Sequence, residues 1–247
     1  MAPVLGHTNW AEFEESLQLG KMYQFVIPGP SDSIMDAPEN MVGVYKDALD
    51  LGLRFPMHPF AKAVLKAYKI GVSQLMPTAW LNINTFIAVC ELRGFTPDIR
   101  AFMALHYLYS AQNSTSGWYY FACRPGRITA LEKPSKFHNW RDRFVYVEVK
   151  KVEHLEWMKR WNESPRFHGR GGLTAVDRAG RALVVYFTID DDPTLAETFG
   201  KKRIPTNWLP SINCFYDDKF LSAVGLAHYF PRGEDHIPHM RLLLMPF

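Results

Sequence analysis

Between His58 and Ser110 the chain reads as three consecutive helices, each opened by a proline and joined by short linkers. Proline lacks the N–H that a first helical turn leaves unused, so it marks helix starts. Pro59 opens the first helix, His58 to Tyr68, in which Phe60, Val64, Leu65 and Tyr68 recur at helical spacing. Pro77 opens the second, which runs to Arg93. Its Trp80, Ile83, Ile87 and Cys90 line one face, and Gly94 stops it. Thr96 and Pro97 start the third, predicted to continue to about Ser110 with Ile99, Phe102, Met103, His106 and Tyr109 on its apolar face. Short linkers make such helices packed neighbours. Upstream, a short helix is predicted over Asn9–Leu19. Met41–Tyr45 reads as a short strand leading into a helix that Gly52 ends.

After Gly117 the pattern changes. Trp118–Cys123 is a dense aromatic run of the kind strands favour, and Phe144–Val149 alternates, with Val145, Val147 and Val149 on one face. Ala182–Ile189 is a continuous apolar strand ended by three aspartates and Pro193. Glu153–Trp161 and Lys219–Ala227 read as helices. The expected fold is α+β, an N-terminal helical half packed with a small antiparallel sheet in the C-terminal half. Its subdomains, 1–115 and 116–247, form one continuous globule. A chain of 247 residues is long enough for one large domain or two small ones.

The net charge of +3 conceals an asymmetry: Arg124–Arg181 holds 14 Lys/Arg against 7 Asp/Glu, while each flank is acidic. A concentrated basic surplus suits an acidic partner, nucleic acid above all. The aromatic residues Trp118–Phe121 beside it are expected to fill the core. The basic connection after them is the candidate contact surface, with Lys133, Lys136, Trp140, Arg141 and Arg143 as the residues that would meet nucleic acid. No run of about 20 apolar residues is present to span a membrane. The acidic residues Glu12, Glu14 and Glu15 do not suit a signal peptide. The chain is therefore expected to stay inside the cell, in nucleus or cytoplasm, with Cys90, Cys123 and Cys214 as free thiols.

Motifs that carry chemistry are missing. There is no Gly-x-Ser-x-Gly, no His-Glu-x-x-His and no Gly-Lys-Ser/Thr phosphate loop, and no cofactor is expected. Cys214, His228, His236 and His239 have the donor types zinc accepts, but Ile237-Pro238 separates the last two, so no helical ligand face forms. No metal site is assigned. Asp190, directly after an apolar strand, is the one residue placed like the first carboxylate of a two-metal nuclease. The simpler reading is that Asp190–Asp192 end the strand and cap a helix starting at Pro193.

Four segments in order carry a resemblance: Leu51–Phe60, Gln74–Trp80, Gly117–Phe121 and Trp140–Val147. Over roughly residues 25–149 the chain resembles the plant gypsy-type transposon domain, a retroelement-derived family. The resemblance implies no catalytic residues. It implies a retrotransposon-derived, non-enzymatic binding or assembly module whose partner is another protein, a second copy of itself or nucleic acid. The alternative is a remnant metal-dependent nuclease built around Asp190.

Overall fold

The computed structural model describes residues 25–111, 117–123, 139–148 and 208–227, together with the backbone of two short strands at 174–176 and 182–184. Its elements in chain order are β1 (Phe25–Val26), β2 (Met41–Tyr45), α1 (Lys46–Asp50), α2 (Pro59–Tyr68), α3 (Pro77–Arg93), α4 (Ile99–Leu105), β3 (His106–Ser110), β4 (Tyr119–Cys123), β5 (Phe144–Glu148), β6 (Thr174–Val176), β7 (Ala182–Val184) and α5 (Asp218–Ala223).

The two long helices fall where the proline spacing predicts. His58 caps α2, its Nδ1 accepting from the Phe60 N–H at 3.1 Å, and Lys69 ends it in the left-handed conformation. Gly94 does the same for α3 at φ 73°. α3 is buried on nearly every side from Pro77 to Cys90, so it is the central rod of the core and not a surface helix. Phe60 of α2, Phe86 of α3 and Phe102 of α4 meet as a ring cluster with centroids 5.2–5.9 Å apart.

Helices and small antiparallel sheets make the fold mixed α+β, but its strands are distributed differently from the expectation. β5 is the centre of a three-stranded sheet, with β1 on one side and β2 on the other, in a register that pairs Val44 with Val145. β3 and β4 form a second sheet, pairing Leu108 with Phe121. Each of these sheets joins strands from before residue 115 to one after 116. Phe144–Val147 are all buried, so β5 is covered on both faces where alternation predicts one only. β6 and β7 pair with each other.

The predicted third helix starts two residues late, at Ile99 with Asp98 as its cap instead of Thr96, and stops five residues short. His106 leaves the helical conformation and His106–Ser110 becomes β3. The run His106-Tyr107-Leu108-Tyr109 satisfies a helical face and a strand equally well, and the pairing with β4 decides between them. The predicted helix at Lys219–Ala227 is shorter, Asp218–Ala223, and Asp217 caps it through the Lys219 N–H. The predicted helices Asn9–Leu19 and Glu153–Trp161, and the end of the Ala182–Ile189 strand, lie outside the described residues.

Trp208–Ala227 completes the core from far along the chain. Phe215, Leu221, Val224 and Leu226 are buried against the helices. Gly52, at φ 88°, makes room for them: a Cβ there would stand 3.0 Å from Phe215 and 3.2 Å from Leu221.

Candidate functional site

Where β2, β4 and β5 come together, the sequence's aromatic and basic residues assemble into a corner. Tyr45 ends β2, Trp118 precedes β4, and Trp140 lies in a single 3-10 turn, Trp140–Asp142, just before β5. The Trp118 indole N–H donates to the Tyr45 hydroxyl at 2.8 Å. Trp140 packs edge-on to Tyr45 at 4.6 Å and to Trp118 at 5.9 Å. The Arg141 guanidinium lies over the Trp118 ring at 4.3 Å and near the Trp140 ring at 5.2 Å, close enough for the rings' negative faces to attract it. Burial pushes the Tyr45 phenol well above its ordinary value, with the Trp118 hydrogen bond and Arg141 opposing. Tyr45 is therefore a neutral acceptor in this corner.

Arg143 continues the arrangement. It donates to Asp47 Oδ1 at 2.6 Å, and its carbonyl accepts from the Lys46 N–H at 2.9 Å, so α1 is held to the start of β5 twice. Asp47 is 3% exposed. Burial raises its carboxyl above the ordinary range, Arg143 opposes that shift, and Asp50 adds to it.

A second ion pair, with Arg54 buried and Asp218 half-buried, lies beyond α1. Arg54 donates to the carbonyls of Leu49 at 2.6 Å and Leu53 at 3.0 Å, and to Asp218 Oδ1 at 3.2 Å. Burial lowers the guanidinium's pKa, while Asp218 and Asp50 act to keep its charge. Arg93, at the end of α3, covers the Trp208 ring at 4.4 Å. Two arginines thus tie Trp208–Ala227 to the helices.

Of the predicted contact residues, Trp140, Arg141 and Arg143 are brought together here, each with an internal partner. Trp140 is only 8% exposed. Lys133 and Lys136 lie outside the described residues, as do Asp190 and the histidines at 228, 236 and 239. Among the described residues no group of three His, Cys, Asp or Glu side chains could hold a metal ion. Cys90, Cys123 and Cys214 are free thiols, as expected. Burial first, then Glu91 and Asp98, pushes the Cys90 thiol up to about 12, which keeps it protonated and unreactive. No helix among the described residues is long and apolar enough to cross a membrane.

Residues 42–111 match the family model described as "Putative gypsy type transposon". No curated protein and no solved structure gives a match. The matched segment runs from the second residue of β2 to the residue after β3. It takes in the first two segments of the sequence resemblance and leaves out Gly117–Phe121 and Trp140–Val147. Those two segments supply β4, β5 and most of the aromatic corner, so the matched segment is packed against strands it does not contain.

One basic feature escaped the sequence reading. Lys62, Lys66 and Lys69 succeed one another at spacings of four and three on the outer side of α2. Helical spacing alone would have revealed them. They belong to a flank whose net charge is acidic, so the chain's charge distribution does not reveal them.

Proposed function

We propose that this chain is a non-enzymatic binding and assembly module of transposon origin, and that it works through its surfaces. The observation that carries the reading is that its half-buried and buried arginines are held by internal partners. Arg143 is spent on Asp47 and Arg54 on Asp218, and Arg141 is stacked on Trp118. The first two pairs bridge 96 and 164 residues of sequence. Groups used in this way build a scaffold that presents surfaces to a partner. The transposon family match over residues 42–111 supports the origin.

Two measurements test this. Light scattering over a range of concentrations, alone and with nucleic acid, should show a larger species forming. A strict monomer that also ignores nucleic acid sinks the module reading. Incubation of labelled duplex DNA with the chain and Mg²⁺ or Mn²⁺ should leave the DNA intact. Cleavage that disappears in Asp190→Asn would establish the nuclease alternative instead.

A further inference from the structure

The outer face of α2 carries only positive charge. Lys62, Lys66 and Lys69 lie along it, the last as the helix cap. None of the three side chains has an ion pair or hydrogen bond among the described residues. This sets them apart from Lys46, Arg54, Arg100 and Arg143, each of which holds an aspartate. The helix and its cap contain no acidic residue. The residues between the lysines on the outer side are small, and Ala63 is exposed. The opposite side, Phe60, Ala61, Val64, Leu65 and Tyr68, is buried, so the helix cannot turn the row away from solvent.

We infer that this row is a docking surface for the phosphate backbone of duplex nucleic acid. The inference rests on the module reading above and names its partner. Charge complementarity selects a polyanion. Spacing selects its kind: at about 1.5 Å rise per residue, Lys62 to Lys69 covers about 10 Å. Phosphates succeed one another along a duplex strand at about 3.4 Å of axial rise, so the rigid row spans about three of them. A single strand is usually gripped with aromatic side chains on which its bases stack, and this face has none. It also lacks the Asn or Gln that reads adenine and the forked Arg that reads guanine, so its lysines serve as point charges on phosphates and the binding is indifferent to sequence. The rival explanation is that Lys66, in the last turn, and Lys69 merely complement the negative end of the helix dipole.

The test uses the full chain and a short fluorescein-labelled duplex, with anisotropy titrations between about 50 and 200 mM salt. Lys62→Gln, Lys66→Gln and Lys69→Gln, singly and together, should each lower the slope of log affinity against log salt by about 0.9. Over that fourfold salt range the wild type should then lose about 40-fold more affinity than the triple variant. Lys219→Gln, an exposed lysine on α5, should leave the slope unchanged, and unaltered melting of every variant confirms the fold. A triple variant with the wild-type slope overturns the inference, as does a duplex that does not bind. Binding to phosphatidylserine vesicles but not to duplex assigns the row to a lipid surface and overturns it too. Metal-dependent cleavage lost in Asp190→Asn would end the module reading alone, because the lysine-dependent slope is measured without divalent metal.

Discussion

Gly43 has no room for a side chain. It lies at the middle of β2, and a Cβ there would overlap the Ile34 side chain and its carbonyl oxygen, so the Pro28–Asn40 stretch can lie on the strand only because position 43 is bare. Gly43→Ala should therefore destabilise the fold by about 1–3 kcal/mol, the usual cost of overpacking. A urea unfolding midpoint equal to the wild type's would show that the covering stretch yields freely. Asp47 makes a different point at this scale. Its folded carboxyl lies above the ordinary value because burial outweighs Arg143. Folding thus favours the protonated form. The associated stability is fully present below the unfolded pKa of about 3.9 and is lost as pH rises through the raised folded value. Asp47→Asn should gain on the wild type across that acid window and hold a constant difference above it. Unfolding midpoints in a pH series measure this, and a difference that does not vary with pH would mean Asp47 ionises at no cost. Neither residue could be read in advance. Sequence shows that Arg143 is charged, but its partner Asp47 lies 96 positions away. Nor does sequence show that Arg141 lies over the Trp118 ring, 23 positions before it.

Elements divide by where their determinants lie. α2 and α3 were legible because proline, glycine and helical spacing are local, and their bounds agree with the sequence reading. β3 was not, because His106–Ser110 owes its conformation to β4, and β4 also takes a hydrogen bond from the Met76 N–H to the Tyr119 carbonyl at 2.9 Å. α5 owes its place to a partner still more distant. Its docking depends on Asp218 meeting the buried Arg54, which keeps the Leu49 and Leu53 carbonyls whichever residue stands at 218. Asp218→Asn should therefore weaken the fold without abolishing it, by about 1.5–3 kcal/mol, the worth of a hydrogen bond to a charged group. The loosening should be local. Amide exchange in Asp218–Ala223 should speed up well before exchange in α3 does. Uniform acceleration across both helices would show instead that α5 opens only with the whole core.

The molecule as a whole is knit from segments that a linear family boundary separates. Residues 42–111 contain β2, α1–α4 and β3, yet β2 pairs only with β5 among the described strands, and β3 with β4. Without those partners, Val42, Val44 and Leu108 would lose their cover, and the backbone groups that complete both sheets would face water or go unpaired. Without Trp208–Ala227, the pocket at Gly52 that holds Phe215 and Leu221 would stand open, and Arg54 would be a buried charge without its carboxylate. Each loss removes several fully buried side chains, and truncating even one such aromatic to alanine costs about 3–5 kcal/mol. A natural domain has only about 5–15 kcal/mol to lose. A fragment of residues 42–111 should therefore not fold alone. α1, α2 and α4 are short enough to be marginal without tertiary support, and the longer α3 is apolar on nearly every side and relies on its packing, so far-ultraviolet circular dichroism should show weak helicity and no cooperative melt. A span of residues 25–227 should melt in one transition. Cooperative melting of the short fragment would show that the matched segment is self-sufficient and that the strands and helix packed on it are additions.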